Sequence, residues 1–315
     1  MNVRAAFRQP WLGPLVALLV VYALFAAAKP DTFAATGVLV AMARETVVVG
    51  IAAVGTSMVI ASGGIDLSIG SAVALTTVVV ASSLRAGHGA VHASIVGIGC
   101  AAACGAIIGL LVTRLRVTPF IVTLGAMTIL RGAAKGVANE QKIDADPHGL
   151  DVLLSPIAGG GFPPGVWTML VVAIAIAVVL RSTRFGRHVL AIGSNEATAL
   201  LCGIRVDRTK VLVYTLAAAF SGLAGVMEFS RLTVGDPTVA IGLELEVIAA
   251  VVIGGGSLLG GEASVAGSLV GAFLMTVITT GCTHVGLPNW VEEIVAGAII
   301  VVAVALDRIR QARRS

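Results

Sequence analysis

Long apolar runs without a charged side chain dominate this sequence. Residues 11–28, 93–112 and 263–281 carry no charge at all, and residues 46–62 are nearly as apolar. A helix needs about 20 such residues to cross a bilayer, whereas apolar runs of 10–14 residues are typical of buried helices in soluble proteins. The mean hydropathy of +1.00 and the hydrophobic fraction of 57% agree with a lipid environment. We therefore expect an all-α polytopic membrane protein.

Shorter apolar runs complete the predicted topology. They need some flanking residues to reach the length of a span, and they are 69–84, 117–130, 166–180, 211–227, 247–259 and 288–306. With the four longer runs, they predict about ten transmembrane helices in one domain over residues 1–315. Eight or nine crossings stay open, because the shortest runs are marginal in length.

The Lys and Arg residues set the expected orientation, since basic residues are retained on the cytoplasmic side. Arg4 and Arg8 precede the first run, which resembles a cleavable signal but which we expect to be retained as a span. More arginines lie in the loop 181–210 and in the tail 308–314. We expect both termini and the loop 181–210 on the cytoplasmic side, and the acidic loop 139–164 on the outer side. Nucleic acid binding is not expected, because the basic residues are dispersed among loops without interleaved aromatic residues.

A first polar interruption, GGIDLSIGS, lies at residues 63–71. The apolar runs on either side leave almost no residues between two crossings, so this stretch must itself form the turn. Non-helical backbone at membrane depth is tolerated only where protein or a water-filled cavity satisfies it, and broken helices often form transport sites. The candidate residues are Gly63, Gly64, Asp66, Ser68 and Ser71.

Asp66 has two interpretations. It can cap a helix that begins at Leu67, by accepting backbone N–H groups. It can also line a polar route together with Ser68 and Ser71, since an acid near hydrocarbon is costly and is usually functional. The two roles are compatible.

A second interruption, IGGGSLLGGEAS, lies at residues 253–264 and ends an unusually short apolar run. Its glycines indicate either close helix contact or a substrate passage. The candidate residues here are Gly254, Gly255, Gly256, Ser257, Gly260 and Gly261.

The loop 181–210 contains a predicted short helix over residues 196–202. Asn195 can cap it, Glu196 places an acid in its first turn, and Gly203 can end it. So short a helix is marginal in water and needs support. The pattern fits equally a helix that lies on its own membrane domain or on lipid, and a helix that docks a cytoplasmic partner.

No enzymatic site is indicated. The chain has no GxxxxGK[ST] phosphate-binding loop, so any ATP must be hydrolysed on another chain. Cys100 and Cys104 lie one helical turn apart, but no third metal ligand is near them in the sequence. We expect neither a metal site nor a cofactor on this chain.

Four motifs resemble one known family. They are SGGIDLSIGS at 62–71, TPFIVTLGAMTILRG at 118–132, TRFGRHVLAIGSNEATALLCGI at 183–204 and GLELEVIAAVVIGGGSLLGG at 242–261. This set is similar to the permease subunits of bacterial ribose-type ATP-binding-cassette (ABC) sugar importers, which are related more distantly to branched-chain amino-acid permeases. Three residues depart from the family pattern, namely Thr198, Glu246 and Gly256.

The resemblance implies a permease domain of the bacterial inner membrane that works as a pair, with either a second copy or a paralogue. It implies a cytoplasmic double-cassette ATPase, which holds the ATP and Mg²⁺, and a periplasmic sugar-binding protein. It also favours docking as the role of the short helix. The residues that it assigns to coupling are Arg187, Gly193, Asn195, Glu196 and Gly203.

The expected function is import of a monosaccharide by alternating access, with the sugar leaving towards the cytoplasm. We expect small, weakly polar groups along the route, because tight binding would prevent release; the candidates are Ser57, Ser68, Thr123, Thr128 and Ser257. The alternative is an ion-coupled secondary transporter with Asp66 as its proton or cation site. A membrane scaffold would leave the polar interruptions unexplained. The identity of the sugar stays open.

Overall fold

The computed structural model describes residues 11–157 and 161–312, and this part of the chain is almost wholly helical. Its helices longer than one turn are α1 (Leu12–Ala28), α2 (Thr36–Ala61), α3 (Ile69–Arg85), α4 (Ala90–Arg114), α5 (Pro119–Val137), α6 (Pro164–Ser182), α7 (Arg184–Ser194), α8 (Glu196–Leu201), α9 (Val206–Leu232), α10 (Leu243–Ile253), α11 (Val265–Val285) and α12 (Asn289–Ala312). Single turns at Pro30–Phe33 and Leu150–Leu153 and the strands β1 (Ile143–Asp144) and β2 (Val234–Gly235) complete it. Outside the described residues lie Arg4, Arg8, Arg313 and Arg314 of the predicted cytoplasmic termini and residues 158–160 of the predicted outer loop.

The helix lengths confirm a polytopic membrane protein. Within the described residues, six helices are long and apolar enough to cross a membrane: α2, α4, α5, α6, α9 and α11. Helices α1 and α3 are apolar but have 17 residues each. Helix α10 has 11 residues, about 16 Å, roughly half of a bilayer core. The count of ten spans and the cytoplasmic location of both termini stay predictions.

The predicted span over 247–259 is wrong at both ends. Its helix, α10, begins earlier, at Leu243, and ends at Ile253. The cause of the early end is the run Gly254 to Gly256, whose conformational freedom favours a turn over continued helix.

Helix α9 lies at the centre of the bundle and packs along α2, α3 and α4. Small residues make this contact close. A Cβ atom on Gly105 of α4 would overlap the carbonyl oxygen of Tyr214 in α9, and one on Gly222 of α9 would lie 2.9 Å from the Cβ atom of Ala101 in α4. Such packing is typical of membrane helices, which cannot rely on the hydrophobic effect to associate in lipid.

The two strands pair at one end of the bundle, which we call the strand face. They run antiparallel, with Ile143 opposite Gly235. Arg131, in α5, donates hydrogen bonds to the carbonyl oxygens of Pro237 (3.0 Å) and Val239 (2.6 Å), so it fixes the chain that follows β2. The loops after α5 and α9 therefore lie on the same side of the molecule, as the predicted topology requires.

Asp236 holds the same loop together. Its Oδ1 atom accepts hydrogen bonds from the amide (2.8 Å) and hydroxyl (2.6 Å) of Thr238, and its Oδ2 atom lies 3.0 Å from Lys142 Nζ. Burial by itself would raise the pKa of this carboxyl, but the bonds from Thr238 and the nearby Lys142 charge outweigh burial and hold the pKa below its usual value.

Candidate coupling and translocation site

The first glycine-rich interruption leaves the helix as predicted, but the next helix starts later than predicted. Residues 64–68 have no regular structure, and α3 begins at Ile69, not at Leu67. Asp66 is 3% exposed, and its Oδ1 atom accepts hydrogen bonds from the Ser68 amide (2.8 Å) and hydroxyl (2.6 Å). The carboxylate therefore closes a turn just before the helix.

Two neighbouring helices brace this interruption. The Thr123 hydroxyl, in α5, donates a 3.2 Å hydrogen bond to the carbonyl oxygen of Ile65. The hydroxyl of Tyr214, in α9, packs against Gly64, where an added Cβ atom would lie 2.5 Å from it. Tyr214 Oη and Ser71 Oγ are buried without a hydrogen-bond partner among the described residues. We did not select Tyr214 from the sequence, although it is one of only two tyrosines in the chain.

The second interruption is a compact pair of turns after α10. Gly254 packs directly on Gly267 in α11, and an added Cβ atom on Gly254 would lie 2.5 Å from the carbonyl oxygen of Gly267. The Ser257 amide then donates a 3.1 Å hydrogen bond to the carbonyl oxygen of Glu262 and closes the loop between them. The sequence left two interpretations of this stretch, close helix contact and a substrate passage. Close helix contact accounts for Gly254.

The two interruptions meet the loop 181–210 at one point, which we call the glycine junction: Gly63, Gly193, Gly260 and Gly261. A Cβ atom on Gly193 would overlap the carbonyl oxygen of Ala61 and lie 2.5 Å from the amide nitrogen of Gly261. A Cβ atom on Gly260 would lie 2.9 Å from the Cα atoms of both Gly193 and Gly63. Three separately selected segments are therefore in direct backbone contact. Gly254 and Gly256 pack elsewhere, on Gly267 and Val251.

The loop 181–210 contains two helices, of which the sequence indicated only the second. Helix α7 precedes it and is capped by Thr183, whose Oγ1 atom accepts a 3.2 Å hydrogen bond from the Gly186 amide. The predicted helix 196–202 is present as α8 but ends one residue earlier, at Leu201. Asn195 caps it as expected, since its Oδ1 atom accepts a 2.9 Å hydrogen bond from the Thr198 amide.

Helix α8 is both anchored and exposed. Glu196 Oε2 lies 2.6 Å from Lys210 Nζ at the start of α9, which ties the helix to its own membrane domain. Gly203, with a φ of 80°, permits the turn that ends it. Leu200 and Leu201 are 64% and 87% exposed, so the helix presents an uncovered apolar surface. Arg187, in α7, donates a 3.4 Å hydrogen bond to the Ser182 carbonyl oxygen of the preceding helix end.

The glycine junction and the strand face lie at opposite ends of the bundle. The first residue of α9, Val206, packs with Ile192 and Ala199 of the loop 181–210, and the last residue of α9 leads into β2. Helix α9 has 27 residues and is about 40 Å long. The length of α9 therefore separates the two ends.

A cavity of about 290 Å³ lies near the strand face and was missed by the sequence analysis. Charged side chains line it: Glu45, Glu228, Arg231, Glu246 and Glu292. Arg231 Nη2 donates a 2.6 Å hydrogen bond to Glu228 Oε1, and its Nη1 atom lies 3.8 Å from Glu45 Oε1. Acidic residues inside apolar helices could have indicated this cavity, but we used this criterion for Asp66 alone.

None of the predicted route residues lines this cavity. Ser57 and Thr128 donate their hydroxyl hydrogen bonds to carbonyl oxygens of their own helices, and Thr123 donates to Ile65 as described. Ser68 donates to Asp66, and Ser257 Oγ accepts a 3.2 Å hydrogen bond from the Leu259 amide. Their role in a route stays a prediction.

Comparison with known proteins gives a consistent result. The family described as "Branched-chain amino acid transport system / permease component" matches residues 38–304. The ribose import permease protein RbsC of Escherichia coli (strain K12) is 37% identical over 98% of this chain and 98% of its own length. The RbsC protein of Bacillus subtilis (strain 168) is 36% identical over 96% of this chain and 94% of its own length. The L-arabinose ABC transporter permease protein AraH of Azospirillum brasilense is 34% identical, over 96% and 88% respectively. No solved structure matches the chain.

Proposed function

The chain belongs to the family of branched-chain amino acid transport system permease components, and from this premise we propose that it is the membrane subunit of an ATP-driven monosaccharide importer. As an ABC-importer permease it is a multi-pass protein of the bacterial inner membrane. The names of its relatives refer to ribose and L-arabinose, and on that basis we propose a pentose or a related sugar as substrate.

The proposed complex has four components. A cytoplasmic ATPase binds and hydrolyses ATP with Mg²⁺, a periplasmic protein delivers the sugar, and a second permease copy or paralogue completes the pathway. The fourth component is this chain, which we propose acts as a single permease domain over residues 1–315. It performs no covalent chemistry.

The proposed orientation places the glycine junction at the cytoplasmic face and the strand face in the periplasm. The loop 181–210, which holds the junction residue Gly193, carries Arg181, Arg184, Arg187 and several further basic residues. The loop 139–164 at the strand face is net acidic, with Glu140, Asp144, Asp146 and Asp151 against the single Lys142. Because basic residues are retained in the cytoplasm, this distribution supports the orientation.

The proposed mechanism is alternating access, driven through α8 and the glycine junction. Gly193 is the second-to-last residue of α7 and lies two residues before Asn195, the cap of α8. It is in contact with the Ala61 carbonyl and the Gly261 amide, at the two interruptions. A displacement of α8 by the ATPase would therefore act on the end of α2 and on the loop between α10 and α11. This contact is the observation that carries the proposal. Because no side chains lie between the packed backbone segments, a displacement of one segment must move the others.

Uptake into vesicles tests the proposal. Proteoliposomes would contain the permease with or without its ATPase, and the medium would contain radiolabelled ribose or arabinose with or without the binding protein. The proposal requires uptake that depends on both partners and on internal ATP. Uptake by the permease alone that collapses with the ion gradient would instead support an ion-coupled transporter.

A further inference from the structure

The charged cavity near the strand face is part of a larger polar cleft. A second cavity, of about 230 Å³, shares Glu45, Thr279 and Glu292 with the first. We call the two together the polar cleft. Its walls come from α2, α9, α10, α11 and α12, and it lies at the strand-face end of α9, where Glu228 and Arg231 occupy the last two turns.

The cleft has more hydrogen-bond acceptors than its own donors can satisfy. Glu228 is 2% exposed and is satisfied by Arg231, and the same guanidinium is the ion-pair partner of Glu45 at 3.8 Å. Within residues 11–157 and 161–312, neither Glu246 nor Glu292 forms an ion pair. Carboxylates offer about four acceptor positions each, so the cleft can accept several hydrogen bonds from a guest.

Helix α11 adds a row of hydroxyl groups. Thr276, Thr279, Thr280 and Thr283 line the two cavities and are spaced by three and four residues along one helix face. The hydroxyls of Thr276, Thr279 and Thr283 donate to α11 backbone carbonyl oxygens. Thr276 Oγ1 also lies 2.9 Å from the Thr46 hydroxyl, which uses one of its acceptor positions. The oxygen atoms keep further acceptor capacity, because a hydroxyl donates one hydrogen bond and accepts two.

This combination selects a class of ligand. Carboxylates accept hydrogen bonds from hydroxyl groups, threonine oxygens do the same, and Arg231 offers N–H donors, so the cleft complements a neutral ligand with many hydroxyl groups. The surplus of negative charge disfavours a net anionic ligand such as a sugar phosphate, because like charges repel. The size also fits, since small-molecule sites begin at about 300 Å³.

We propose that the polar cleft is the site at which this permease first binds a neutral, unphosphorylated monosaccharide that enters from the strand face. The inference rests on the proposed function and adds to it the position of the sugar and the exclusion of anionic substrates. Binding here is weak, because water competes for the same acceptors and the cleft is open to the periplasm.

Carbodiimide protection tests the cleft on the full-length permease alone. Dicyclohexylcarbodiimide modifies carboxyl groups in apolar surroundings, and mass spectrometry would measure the modification of Glu246 and Glu292. We expect an excess of D-ribose to slow modification of both residues, and ribose 5-phosphate at the same concentration to have no effect. Equal protection by the phosphate, or protection by sodium or potassium ions and not by ribose, would overturn the proposal.

Uptake by the complete importer supplies the second measurement. We expect Glu246→Gln and Thr279→Val to lower ribose uptake, by about ten-fold for the glutamate, because a hydrogen bond to a charged group is replaced by a weaker one. ATPase stimulation by the loaded binding protein should persist, since the glycine junction is untouched. The matched controls are Glu293→Gln, next to Glu292 but outside the cleft, and Thr215→Val in α9.

The two proposals fail in different ways. A wild-type complex without ATP-dependent uptake would contradict the importer function. A wild-type complex that imports ribose, together with cleft variants that import it equally well, would contradict the cleft alone.

Discussion

The backbone amide of Gly261 donates a 2.9 Å hydrogen bond to the carbonyl oxygen of Ala61. Ala61 is the last residue of α2, and Gly261 lies in the loop after α10, so this bond joins the two glycine-rich interruptions. The Cα atom of Gly193 fills the space beside it. Two broken membrane helices and the segment proposed to contact the ATPase thus share one backbone contact, which provides a structural basis for moving them together.

We expect Asp66 to stabilise the turn before α3, and we expect its negative charge to be unnecessary for transport. The Ser68 amide and hydroxyl both donate to Asp66 Oδ1, and Asn offers an equivalent amide oxygen. Asp66→Asn should therefore retain ribose uptake and thermal stability close to the wild type. Asp66→Ala removes the acceptor from two buried donors and should lower the free energy of unfolding by about 1–3 kcal/mol. Thermal unfolding in detergent and vesicle uptake would measure both effects.

A correctly folded Asp66→Asn protein that imports no sugar would contradict this expectation. That result would assign a necessary role to the negative charge and would favour the polar-route interpretation of Asp66.

Leu201 is expected to contact the ATPase. It is 87% exposed at the end of α8, so Leu201→Asp should not weaken the fold. Burial of a leucine at an interface contributes about 1.5–3 kcal/mol, and its loss should lower copurification of the ATPase by about ten-fold or more. Leu115→Asp, at an exposed leucine just after α4, is the matched control. Unchanged copurification of the Leu201→Asp variant would argue that α8 rests against lipid.

The loop at the strand face should lose stability in acid because of Asp236. The pKa of this carboxyl lies below its usual 3.8 in the folded protein, so the charged form favours the fold. Its contribution is fully present above pH 3.8 and is lost as the pH falls through the lower, folded pKa. Asp236→Asn should therefore flatten the fall in melting temperature between neutral and strongly acidic pH. Asp144→Asn, at an exposed carboxylate in β1, should leave the wild-type profile unchanged; an identical profile for Asp236→Asn would contradict this prediction.

The local features of this fold could be predicted from the sequence because their causes are local. Apolar runs indicate membrane helices by length alone, and the glycines at 63–64 and 254–256 do interrupt them. The Asn195 cap could be predicted in the same way, since the side chain and the Thr198 amide that it binds are three residues apart. Helix α3 starts two residues later than predicted, after a turn in which Asp66 Oδ1 accepts hydrogen bonds from the Ser68 amide and hydroxyl.

The long-range features could not be predicted, because no sequence pattern records which segments meet. The contact between Gly63, Gly193 and Gly260 depends on where α2 and α7 end and on how the loop between α10 and α11 folds onto them. The polar cleft likewise assembles acids from separate helices, of which Glu228 is the most buried. The acids themselves can be seen within apolar runs of the sequence. The partners that offset the cost of burying them are apparent only in the structure.

The most direct test of coupling through the glycine junction compares Gly193→Ala with Gly132→Ala in the assembled importer, by measuring sugar uptake and ATP hydrolysis in the same proteoliposomes. An added Cβ atom on Gly193 overlaps the Ala61 carbonyl oxygen, whereas one on Gly132 meets no atom within 4 Å. Because such overpacking costs about 1–3 kcal/mol, uptake should fall by about ten-fold in Gly193→Ala while ATP hydrolysis persists, and Gly132→Ala should match the wild type. Wild-type uptake by a folded Gly193→Ala importer would contradict coupling through this junction.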